Sequence, residues 1–162
     1  MSLRSKVATS LLLAIAAIFV MFGIGDILIG PPADPAITIA VSGMRPGDVE
    51  GAEPIGYRLY DFATRMGGLN LILIGLLLTS IVAVPYRRGQ RWAWATMWLL
   101  PAWALAVPAL FFTFGQAPGT PIPPPAISGP IVAGVAGATL LVDRGRFFGR
   151  HVRAATLGVE PA

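Results

Sequence analysis

Four stretches of this chain run long enough without a charged side chain to cross a lipid bilayer. Val7 to Gly25 holds 19 residues free of Asp, Glu, Lys and Arg, and Met66 to Tyr86, Trp92 to Phe114 and Ile127 to Val142 repeat the pattern. In water such runs would need an extensive partner surface. In lipid each needs only to satisfy its own backbone hydrogen bonds, which a helix of about 20 residues does. The expected fold is an all-α membrane protein, a bundle of four transmembrane helices with an extracytoplasmic loop cap, forming a single membrane domain over residues 1–162. Composition agrees, because 12% of the residues are charged against about 25% in soluble domains.

The first run fits an uncleaved span better than a signal peptide. It is longer than the usual apolar core of about 7–15 residues, and Pro31-Pro32-Ala33 makes a poor cleavage site. Residues 26–65 form the longest outer loop, with prolines at 31, 32, 35, 46 and 54. Within it Ile37 to Val41 alternates weakly and reads as one short strand, and Ser42 to Gly47 reads as a turn. A small hairpin and a loose loop are both consistent with this pattern. Residues 115–126 form a second outer connector, extended and stiff because of Pro118, Pro121, Pro123, Pro124 and Pro125. The fourth span, taken as 127–142, covers roughly 24 Å of a hydrocarbon core of about 30 Å, so it is expected to stand upright or thin the bilayer.

Orientation follows from the cations. Arg4, Lys6, Arg87, Arg88, Arg91, Arg144, Arg146, Arg150 and Arg153 fall on one side of the four spans, and Arg45, Arg58 and Arg65 on the other. The positive-inside rule puts both termini and the 143–162 tail in the cytoplasm. The basic clusters sit beside apolar spans, so Arg87, Arg88, Arg91, Arg144, Arg146 and Arg150 are expected to contact lipid headgroups rather than nucleic acid.

At 100° per residue Asp61, Arg65, Gly68, Ile72, Gly75 and Thr79 share one side of the second span. Ala126, Gly129, Ala133 and Gly137 form a comparable stripe on the fourth. Small residues let helix backbones approach in lipid, so Gly68, Gly75, Gly129 and Gly137 are expected at helix–helix contacts. Pro101 and Pro108 face the same way on the third span and free the carbonyls of Met97 and Ala104. Trp92 and Trp94 suit an interfacial belt, and Trp98 and Trp103 suit packing.

Residues able to carry chemistry are few. Arg58, Asp61 and Arg65 have i, i+3, i+7 spacing, which suits a headgroup-level ion pair or an anion site. Asn70 lies about a turn below Arg65 but on a different face, and suits an interhelical hydrogen bond or a binding role. No catalytic or metal-ligating set is legible. Cysteine is absent, and the lone His151 sits among the arginines of the tail.

Arg65-Met66-Gly67-Gly68-Leu69 through Leu76-Leu77-Leu78, then Tyr86-Arg87-Arg88-Gly89-Gln90-Arg91-Trp92-Ala93-Trp94, resembles the middle of small bacterial four-span proteins of the DoxX-like group. The resemblance covers residues 55–142. It implies a second span opening on arginine and glycine, a basic turn and an aromatic third span. It also implies association, as a small partner subunit, with quinone-linked or thiol-redox membrane complexes. Without cysteine this chain carries no thiol chemistry of its own.

Three functions are consistent with these readings. The first is a non-catalytic accessory or structural subunit of a larger membrane complex, respiratory or photosynthetic, with membrane lipids and other membrane subunits as partners. The second is a protein or enzyme that binds a quinone or lipid and otherwise carries no cofactor, with a cavity between spans two and three near Asp61, Arg65 and Asn70. The third is a small-molecule transporter.

Overall fold

The computed structural model describes the backbone of residues 3–156 and side chains as far as Phe148. The side chains of Arg150, His151 and Arg153 therefore lie outside the described residues. The protein is an all-α four-helix membrane protein. The first span is α1 (Leu3–Ile29). Two short helices follow, α2 (Pro35–Ser42) and α3 (Pro46–Ala52). The second span is α4 (Pro54–Ile81), extended by a π-helical turn over Val82–Tyr86. The third is α5 (Arg91–Met97) and α6 (Leu99–Leu110), ending in a second π-helical turn over Phe111–Gly115. The fourth is α7 (Pro124–Thr156).

The segment 37–41 is helical, which corrects the strand or loose loop expected there. The reason lies in its ends. The Asp34 side chain accepts from the Ala36 N–H at 3.2 Å, Pro35 takes the first helical position, and Gly43 closes the helix at φ 75° with its N–H on the Ile39 carbonyl at 2.8 Å. These caps override the β-branched run Ile37-Thr38-Ile39. Pro46 and Pro54 open the next two helices in the same way. The spans are also longer than their uncharged cores. Helix α1 runs on through Asp26, and α4 starts at Pro54, so Asp61 and Arg65 are helical. The fourth span's membrane-length stretch is Pro124–Phe148, about 37 Å at 1.5 Å per residue. The expected mismatch with a bilayer of about 30 Å does not arise.

The spans pack as two antiparallel hairpins. In the first, small residues spaced by seven meet in register. A Cβ on Gly68 would lie 2.7 Å from the Gly23 carbonyl oxygen, and one on Gly75 would lie 2.7 Å from the Ala16 carbonyl oxygen. A Cβ on Gly23 would in turn run into the Gly68 carbonyl. Each glycine thus aims a Cα–H at a backbone oxygen of the partner helix, a close contact that only glycine permits. In the second hairpin Pro108 removes the usual donor to the Ala104 carbonyl, and Gly129 of α7 meets that oxygen: a Cβ there would sit 2.5 Å from it. Pro101 coincides with the break between α5 and α6 at Trp98.

Helix α1 packs on α7 and so joins the hairpins. The apolar core, with Leu12, Val82, Tyr86, Met97 and Leu140 fully buried, lies toward the end that carries the N-terminus and the Arg87–Gln90 turn, hereafter the basic end. At the opposite, cap end the two outer connections join. The Ala117 N–H and the Thr120 hydroxyl both donate to the Ala40 carbonyl, at 2.9 and 2.8 Å.

Candidate functional site

Spans two and three meet through the short turn at the basic end and share no extended packed face toward the cap. Between them, over α1 and under α2, lies an open groove of about 370 Å³, within the size range of small-molecule sites. Span two contributes Tyr60, Thr64, Gly67, Asn70, Leu71 and Ile74, which follow helical spacing along one face. Asp26 comes from α1, Asp34 and Ile37 from the cap, and Trp103 from span three.

Each polar wall residue is held by its own element. The Tyr60 hydroxyl is hydrogen-bonded to the buried Thr38 hydroxyl at 3.0 Å, which ties α2 down as a roof and leaves the Tyr60 ring facing the groove. Trp103 packs on Phe19, ring centroids 5.1 Å apart. Asp34 is fixed as the N-cap of α2. Asp26 is set against Gly68 at the close crossing of spans one and two. Asn70 and the Asp26 carboxylate make no hydrogen bond among the described residues, and neither Asp26 nor Asp34 has a cation within ion-pair distance among them. The polar groups thus gather at the cap end of the groove, and Leu71, Ile74 and Trp103 continue it along the spans.

Asp61 and Arg65 lie one face over and do not line the groove. The Arg65 guanidinium pairs with Asp61 at 2.9 and 3.1 Å and also donates to the Ile27 carbonyl. This clasp closes the C-terminus of α1, where unsatisfied carbonyls favour a cation. Gly30 makes it possible: at φ 73° it turns the chain, and a Cβ there would collide with the Asp61 carboxylate. Arg58 is exposed and stands apart from the pair. The structure thus brings Asp61 and Arg65 together, sets Asn70 in the groove and leaves Arg58 outside both.

A second polar cluster, not foreseen from the sequence, fills the basic end. Asp143 is 5% exposed and Tyr86 fully buried. Arg146 approaches the Asp143 carboxylate at 3.6 Å, donates to the Ser5 hydroxyl and to the Arg87 carbonyl, and lies over the Phe147 ring. Trp94 donates to the Leu140 carbonyl at 2.9 Å, and Arg91 to the Phe147 carbonyl at 3.2 Å. All four spans meet in this cluster. The Tyr86 hydroxyl and Asp143 Oδ2 are neighbours, both buried, neither with a hydrogen-bond partner in good geometry among the described residues. Arg146, expected at lipid headgroups, is instead engaged inside the bundle's end. Arg87, Arg88, Arg91 and Arg144 are exposed there, and Arg91 and Arg144 both lie over the Phe148 ring, at 5.4 and 5.9 Å. An acidic residue just inside an apolar run and a Pro-Tyr pair at a span end were the available signals for this cluster.

Comparison with protein-family models, with curated proteins and with solved structures gave no match.

Proposed function

We propose that this protein is a membrane-embedded binding protein that holds one amphiphilic molecule, of the lipid or quinone class, in the groove between spans two and three. The single observation behind this reading is the groove itself, a wedge between the spans with its polar groups at one end and its apolar walls at the other. A molecule of matching polarity has its head at Asp26, Asp34, Thr64 and Asn70 and its tail beside Leu71, Ile74 and Trp103. Two membrane-normal arguments fit. Apolar tail burial needs no rearrangement of the bilayer, and polar residues in a span gain most from a partner where water is scarce. In this reading the groove opens in the outer leaflet of a bacterial inner membrane, and both termini are cytoplasmic.

The test is extraction of the full chain into polymer-bounded native membrane discs, followed by native mass spectrometry. Wild type carries a defined bound species. Gly67→Leu loses it without lowering the melting temperature, because a Cβ at Gly67 meets nothing within 4 Å and the added side chain projects into the groove. Wild type without a bound species, or a variant that keeps it, refutes the proposal. The accessory-subunit reading retains one specific support: Val41 and Met44 are exposed on the cap, outside the spans. A stoichiometric protein partner in the same discs, lost on Met44→Glu, would favour it.

A further inference from the structure

We infer that the polar end of the bound molecule carries a positive charge, an ammonium-type headgroup. This inference rests on the groove reading above and specifies its ligand. Two carboxylates, Asp26 and Asp34, line the cap end of the groove. The ion pairs among the described residues join Arg65 to Asp61 and Arg146 to Asp143, so neither groove carboxylate is neutralised by the protein. The nearest span-two base, Arg65, is committed to Asp61 and to the Ile27 carbonyl and contributes nothing to the lining. Asp26 is partly buried at the crossing of spans one and two, and a carboxylate drawn from water without a counter-charge is costly. A cation in the groove would remove that cost.

The rest of the wall points the same way. Tyr60 brings an aromatic ring to the cap end, and aromatic rings attract cations. The Tyr60 hydroxyl is occupied by Thr38, so the ring is what this residue offers. Ionised carboxylates accept hydrogen bonds and donate none; the Thr64 hydroxyl and the Asn70 amide are donors beside them, and the Trp103 indole N–H is a further donor in the wall. A phosphate or carboxylate head would meet like charge. A neutral quinone would leave both carboxylates without a counter-charge. An ammonium head answers both carboxylates and lies beside the Tyr60 ring. Leu71 and Ile74 then run beside an alkyl tail.

The experiment compares three probes of equal chain length on the purified full chain in neutral lipid discs: dodecyltrimethylammonium, dodecanol and dodecanoate. Occupancy is read by native mass spectrometry. Tetramethylammonium, which lacks the tail, separates recognition of a lipid headgroup from recognition of a free amine. The expected result is preference for the cationic probe over the neutral one by about tenfold or more. The combined Asp26→Asn and Asp34→Asn substitutions should erase that preference, so that the variant no longer distinguishes the cationic probe from dodecanol. Asparagine still caps α2, so the roof survives the change. Equal binding of all three probes, or preference for dodecanoate, overturns the charge inference and leaves the groove reading standing. Failure of every probe to bind overturns both.

Discussion

Gly67 and Gly68 are neighbours with opposite surroundings, and substituting each with alanine tests the packing of the first hairpin directly. A Cβ at Gly67 meets nothing within 4 Å. A Cβ at Gly68 lies 2.7 Å from the Asp26 Cβ and 2.7 Å from the Gly23 carbonyl oxygen. The second of these is backbone and cannot rotate away, so spans one and two must separate by about half an ångström to restore normal contact. Overpacking of this kind costs about 1–3 kcal/mol. Both substitutions gain the same intrinsic helix preference over glycine, about 1 kcal/mol, so that contribution cancels in the comparison. Gly68→Ala should therefore be less stable than Gly67→Ala by about 1–3 kcal/mol. The separation also forfeits the Cα–H contacts at Gly23 and Gly75, which favours the upper part of that range.

The assay is reversible unfolding in mixed micelles, with both variants in the same detergent composition and followed by far-ultraviolet circular dichroism. Gly75→Ala, whose Cβ would meet the Ala16 carbonyl at 2.7 Å, should behave like Gly68→Ala. Gly134→Ala, with open space around it, should behave like Gly67→Ala. Equal stabilities for Gly67→Ala and Gly68→Ala would refute the close crossing and, with it, the position of Asp26 beside span two.

Three further outcomes follow from the same geometry. Asp143→Ala leaves Arg146 without its carboxylate in a buried setting and should destabilise the bundle by about 3 kcal/mol, whereas Asp143→Leu combined with Arg146→Met should cost less than the sum of the single changes; additive costs in the same unfolding assay would contradict the pairing. The chain has no cysteine, so Gln90→Cys and Gln116→Cys, both at exposed positions, report topology cleanly: an impermeant maleimide should label the second and spare the first in intact cells, and the reverse would invert the orientation. Tyr60→Phe removes the bond to Thr38, worth about 1 kcal/mol; hydrogen exchange should quicken in Pro35–Ser42 while the spans keep their protection, and unchanged exchange there would show that the roof is held by other contacts.

What could be read from the sequence depended on how many residues carry each signal. The spans were legible because hydropathy accumulates over some 20 positions, and no single residue can mask it. The small-residue faces were legible because helical spacing alone puts Gly68 and Gly75 on one side. The cap was not. Ile37-Thr38-Ile39 favours a strand, and the opposing information sat in single residues: Asp34 as a cap, Pro35, Pro46 and Pro54 as helix starts, and Gly43 as a stop. The five prolines of that loop suggested irregular chain, but three of them open helices. The groove was legible only at Asn70. Its other polar walls, Asp26, Asp34 and Thr64, come from three different elements, and their meeting depends on spans two and three drawing apart. The same dependence hid the second role of Trp103, which packs on Phe19 and also lines the opening.

The position of the groove follows from where close-packing residues are absent. Gly23, Gly68 and Gly75 zip spans one and two along their length, and Gly129 with Pro108 fastens spans three and four near the cap. Spans two and three have no such seam. What holds them is the Arg87–Gln90 turn and, beside it, the π-helical turn at Pro85 that sets Tyr86 into the core next to Asp143. Two stiff hairpins joined at one end form a wedge, with its apex at the basic end and its mouth under α2. The mouth can then be altered in two independent ways. Gly67→Leu occupies it without disturbing the apex, so occupancy should fall with no loss of stability. Asp143→Ala loosens the apex without touching a groove residue, so stability should fall first and occupancy only through the changed angle between hairpins. If both variants lowered occupancy and stability in the same proportion, the bundle would be yielding as a single body, and the wedge would be the wrong description of it.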